Sequence, residues 1–111
     1  MLRFLLLFLI PSVPVQAVEL LRDRHGSEEY VFEANQSEIT ATVDAAGATV
    51  IASNWATHFY GDLLSVENCE FRHRPIRFWL ISFARSSGNE ELYAIVLPNG
   101  TIVEPRTLRR S

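Results

Sequence analysis

The stretch "IRFWLISF", residues 76–83, decides how this chain must fold. In an extended strand, successive side chains point to opposite faces. Ile76, Phe78 and Leu80 then lie on one side, and Trp79, Ile81 and Phe83 on the other. The later stretch "LYAIVL", residues 92–97, repeats the pattern: Leu92, Ala94 and Val96 oppose Tyr93, Ile95 and Leu97. Strands apolar on both faces are normally covered on both faces. Each large side chain left in water forgoes about 1.5–3 kcal/mol.

One cover is evident upstream. In "VDAAGATVIASNWATHFYG", residues 43–61, Ala48, Ile51, Ala52, Trp55, Ala56 and Phe59 recur at the spacing of a single helical stripe. Thr42 or Asp44 supplies a side-chain oxygen for the N-cap, and Gly61 suits the left-handed C-cap. No second helix has a comparable pattern. Three covers are available for the other face: the segment "VELLRDRHG" through Val18, Leu20 and Leu21, a second copy of the sheet, or a foreign partner. Strand curvature around the helix is a further alternative, since scattered exposed apolar residues are ordinary.

The strands follow from composition and turns. "SEEYVFEAN" alternates Tyr30 and Phe32 with Glu29, Val31 and Glu33, and reads as a strand with one polar face. After the helix come "LLSVENCEFR", the connection "HRP", "IRFWLISFAR", the turn "SSGNE" and "ELYAIVLP". Asn99-Gly100 is a strong turn pair leading into "TIVEP". The expected fold is α+β: one helix packed on a four-stranded antiparallel meander, with an additional N-terminal strand as an option.

This layout resembles the cystatin-like architecture, a strand and a helix followed by an antiparallel sheet wrapped around that helix. Residues 43–105, from "VDAAGATVIASNWATHFYG" to "LPNGTIVEP", also resemble PepSY-type modules. Those are secreted half-cystatin domains with a helix of the "A..IA..WA..F" kind and an N-G or T-G turn in the final hairpin. Protease-inhibiting cystatins carry a Q-x-V-x-G hairpin and a P-W hairpin, where this chain has "FRHRPIR" and "LPNGT". The resemblance therefore implies a fold and not an inhibitory activity.

At the N-terminus, "MLRFLLLFLIPSVPVQA" has one positive charge, a short apolar run from Phe4 to Ile10, and small or modest residues before position 18. It reads as a secretory signal with cleavage after Ala17, too short in its apolar run for the ~20 residues of a spanning helix. Residues 18–111 then form a single α+β domain whose tail is expected to fray from about residue 106. The expected location is periplasmic or extracellular, with no membrane span after signal cleavage. Cys69 is the sole cysteine, so no internal disulfide is available, and it is expected to behave as an inert buried thiol.

All ten basic residues are arginine. Beyond residue 17 the chain carries net charge −4, split unevenly: −8 over residues 18–70 and +4 over residues 71–111. An acidic total argues against general nucleic-acid binding, and the asymmetry is expected to be spent pairing the two halves.

No catalytic, metal or cofactor constellation is evident. Cys69 and His73 are about 13 Å apart along an extended strand, too far for a thiol–imidazole pair. His25, Glu28 and Glu29 lack a fourth ligand, and His58 with Asp62 reads as a solvated helix-end pair. Asn35-Gln36-Ser37 and Asn99-Gly100-Thr101 fit glycosylation acceptors in a eukaryotic secretory route. The leading functional expectation is a small exported protein-interaction module, binding a partner protein or a second copy. Arg72, Arg74 and Arg77 would provide its polar rim, and Phe78, Leu80 and Tyr93 or their opposite-face neighbours its apolar contact. The alternatives are a ligand-binding or enzymatic pocket between helix and sheet, and anion or membrane-surface binding by the basic half.

Overall fold

A computed structural model describes residues 17–35, 42–86 and 88–109 of the chain. Most of the expected signal peptide (1–16), part of the first glycosylation tripeptide (Gln36 and Ser37), Ser87 and Arg110 lie outside the described residues. The elements run β1 (Val18–His25), β2 (Glu28–Ala34), α1 (Ala45–Tyr60), β3 (Leu64–Arg72), β4 (Phe78–Arg85), β5 (Glu91–Val96) and β6 (Arg106–Arg109). They form two antiparallel three-stranded sheets, ordered β1-β2-β6 and β3-β4-β5.

The helix forms where the apolar stripe placed it. Asp44 is its N-cap and accepts from the Gly47 backbone N–H at 2.8 Å. Gly61 ends it at φ 69°, a left-handed backbone that a Cβ would strain, with its N–H bonded to the Thr57 carbonyl. Ala48, Ala52 and Ala56 are fully buried on one face of β3-β4-β5, against Ile81, Phe83, Leu92, Ala94 and Val96. Small residues at every turn let the helix axis approach the sheet closely. Ile51 and Trp55 pack at the margins.

The opposite face of β4 and β5 is covered by the chain itself. Phe78, Leu80 and Ile95 form a second core with Leu20, Phe32 and Val103. Of the three covers considered, the N-terminal segment is the one that fills this position. It does so as β1 of a sheet and not as a loose packing segment. A register shift between Glu19 and Leu21 lets adjacent Leu20 and Leu21 both meet the second core.

Three expectations need correction. The meander has three strands and not four: "TIVEP" contributes a single bridge, Val96 to Ile102. Val103 then bonds Ile95 through its N–H and drops into the second core, and Pro105 has no N–H with which to extend a ladder. The tail expected to fray from about residue 106 instead supplies β6, which pairs with β2. Finally, β2 has no simple polar face, because Val31 is as deeply buried as Phe32. Val31 lies in the middle strand between Arg22 and Arg106, whose long stems flank it while their charged ends reach Glu19, Glu29 and Glu33.

An aromatic cluster joins the N-terminal sheet to the helix. Trp55 stacks on Phe59 at 4.6 Å, Phe32 meets Trp55 edge-on, and Tyr30 meets Phe59 and Tyr60. The Tyr60 hydroxyl donates to the Tyr93 carbonyl at 2.7 Å. Burial pushes the Tyr60 phenol well above its ordinary pKa, so it remains a donor.

Candidate functional site

The two ends of the β3–β4 pair hold the polar groups. At one end, residues 73–77 connect the strands, with a cis bond between Arg74 and Pro75. Both strands stop short of Pro75, which has no place in a ladder. Arg72, His73, Arg74, Pro75 and Arg77 are exposed, while Ile76 tucks against the second core and anchors the turn. Below the turn, Phe71 packs between the rings of His73 at 5.1 Å and Trp79 at 4.8 Å. The Trp79 indole N–H donates to the Val43 carbonyl at 3.3 Å, fixing this platform to the start of the helix.

The arginines of the basic half whose side chains are described divide into two groups. Arg106 pairs with Glu33 at 3.3 Å, Arg85 with Asp62 at 3.5 Å, and Arg72 with Glu70 at 3.2 Å. The sequence asymmetry is thus spent partly on contacts between the halves. Arg74 and Arg77 make no ion pair among the described residues and present two guanidinium groups to solvent at one turn. Each carries a planar fork of N–H donors suited to carboxylate or phosphate oxygens. An exposed pair is worth only about 0–1 kcal/mol, so one small anion would be held weakly, and several acidic groups on one partner are needed.

The apolar residues expected beside this rim are placed differently. Phe78 and Leu80 are 1% and 6% exposed in the chain's own second core, because β1 and β2 cover that face. They are not available as contact residues in this fold. Tyr93 is half-buried against the same core, with its hydroxyl donating to Glu91 at 2.9 Å. Desolvation and that hydrogen bond push its pKa up to about 12. The residues that do accompany the arginines are Phe71, His73 and Ile76, which share their hairpin; of these, strand alternation placed only Ile76, on the face of Phe78 and Leu80.

The outer edge of β3 adjoins this turn. Its register against β4 shifts between Val66 and Asn68, and it carries Glu67 and Glu70. A bulge and charges on an edge strand oppose pairing with another strand.

At the far end, three connections converge. His25, at the end of β1, has its Nε2 2.8 Å from Asp23 Oδ2 and its Nδ1 3.0 Å from Glu90 Oε2 beyond β4. Arg85 Nη1 lies 3.4 Å from Glu90 Oε1, and Arg85 Nε lies 3.5 Å from Asp62 Oδ2 in the loop after the helix. Asp62 also accepts from the Leu63 N–H at 2.7 Å. This chain of alternating charges was missed because its partners are up to 65 residues apart. Its one local signal is Asp-x-His, which puts Asp23 and His25 on the same strand face.

The other titratable candidates are dispersed. His25 and Glu29 do not converge, since Glu29 faces Arg22 at 3.4 Å. Among the described residues no group of three or more His, Cys, Asp or Glu side chains is arranged to hold a metal. His58 bonds back to the Asn54 carbonyl at 2.9 Å, while Asp62 turns to Arg85. Cys69 is half-buried with its Sγ 3.9 Å from the Ala45 carbonyl.

The space between α1 and the sheet is filled by alanines and apolar strand residues. Among the described residues, open surface depressions of about 360 and 400 Å³ lie beside the β4–β5 turn and beside residues 97–104. No helix of the described residues is long and apolar enough to cross a membrane. Comparison with family models, curated proteins and solved structures gives no match.

Proposed function

We propose that this protein is a small exported interaction module that binds an acidic segment of a partner protein through the β3–β4 turn. The observation that carries the reading is the pair Arg74 and Arg77. They are exposed together at one turn and make no ion pair among the described residues, while Arg72, Arg85 and Arg106 are matched to carboxylates. Export rests on the N-terminal pattern of residues 1–17. The apolar part of the contact falls to His73, Ile76 and the edge of Phe71, in place of Phe78 and Leu80. The weak yield of a single exposed pair favours a partner with several carboxylates in sequence.

The test uses immobilised poly-glutamate peptide and the chain lacking residues 1–17. Binding is expected to weaken as salt shortens the reach of exposed charges. Reversing both Arg74→Glu and Arg77→Glu is expected to weaken it by about tenfold or more. Arg24→Glu, on β1 near the other end of the molecule, should leave it unchanged. Equal binding by the wild type and the double variant would remove the turn from the interaction.

A further inference from the structure

We propose that His25 is a proton-operated latch: as imidazolium it clamps the β1–β2 turn to the β4–β5 turn, and loss of its proton releases that end of the N-terminal sheet. The argument is one of donors and acceptors. Both ring nitrogens face carboxylate oxygens, Asp23 at 2.8 Å and Glu90 at 3.0 Å. A neutral imidazole has one N–H and one lone pair. Whichever tautomer it adopts, one nitrogen then points a lone pair at a carboxylate oxygen within 3.0 Å. Only the doubly protonated ring donates to both.

The surroundings favour that proton. On β1 itself Asp23 is the partner and Arg24 points to solvent. From β2, Glu28 lies across the ladder from His25, and the Tyr30 ring stands 5.9 Å away with its hydroxyl donating to Glu28. From the second sheet come Glu90 and, behind it, Arg85, which also faces Asp62. Carboxylates outnumber guanidiniums around the ring. Arg85 lies 3.4 Å from Glu90 Oε1, the carboxylate oxygen that His25 does not face. His25 is 17% exposed, enough to exchange its proton but too enclosed for water to replace both partners freely.

Burial by itself would lower the His25 pKa, but the hydrogen bonds to Glu90 and Asp23 outweigh it and hold the pKa above its ordinary value of 6.5. The stabilisation is therefore complete below that ordinary value. It is lost as pH rises through the higher folded value. The aromatic cluster and the second core also hold the N-terminal sheet against the rest of the fold, so loss of the bridge loosens a turn and does not unfold the protein. The device is independent of the arginine turn at the other end of β4.

The experiment is a histidine-ring NMR titration of the chain lacking residues 1–17. It is paired with amide-exchange protection factors across the β1–β2 turn. His25 is expected to titrate above the ordinary histidine value of 6.5, and protection at residues 24–28 to fall through the same midpoint. Glu90→Gln should lower the His25 midpoint. His25→Gln should lose the drop in melting temperature expected of the wild type between about pH 5.5 and 8.5, on the order of 4 °C. If His25→Gln does not fold, the wild-type and Glu90→Gln titrations decide alone. A His25 midpoint at or below 6.5, or protection indifferent to it, overturns the proposal.

Discussion

Phe78 illustrates how one side chain changes meaning once its surroundings are known. It belongs to a run apolar on both faces, which makes it equally suited to an interface or a core. Its 1% exposure against Leu20, Phe32 and Ile95 assigns it to the core. Phe78→Ala is expected to cost about 3–5 kcal/mol, the transfer loss plus a cavity. Phe78→Asp should leave the chain unfolded, because the second core around it is apolar and offers a carboxylate no compensation. Thermal unfolding of both variants checks this, and a folded Phe78→Asp protein would show that the face is accessible after all. Tyr60 makes a smaller contribution: Tyr60→Phe removes its bond to the Tyr93 carbonyl and should cost about 1 kcal/mol.

The helix was legible almost to its ends. A period-3.6 stripe needs only local spacing, and the capping choice between Thr42 and Asp44 falls to Asp44 by its bond to Gly47. Asp44→Ala should destabilise the protein by about 1 kcal/mol, read from denaturant midpoints at unchanged slope. Strands β4 and β5 were legible for a similar reason, since two apolar faces are written into consecutive residues. The final strand was not. "TIVEP" has strand-forming residues, but Pro105 cannot donate and Val103 is drawn into the second core, so one bridge remains. "RTLR" has little local strand signal. It becomes β6 because β2 offers an open edge and Glu33 offers Arg106 a partner. Removing residues 106–111 should therefore reduce amide protection along β2 while leaving β4 nearly unchanged, a difference that hydrogen exchange resolves.

Taken as a whole, the molecule is a sheet sheltered by a helix on one side and by a second small sheet on the other. Its two polar ends differ in kind. The β3–β4 turn carries positive charge outward, whereas at the other end His25, Asp23, Glu90, Arg85 and Asp62 face one another. The sequence alone determined that β4 and β5 need two covers, that one cover is the helix, and that arginines crowd one turn. Those are properties of neighbours along the chain, and spacing reports them directly. Only the tertiary structure decided that the second cover is the chain's own β1–β2–β6 sheet, and that His25 meets Glu90. Such pairings depend on which distant segments share space, and for an apolar face burial lowers the free energy alike whether the shelter comes from the same chain or another.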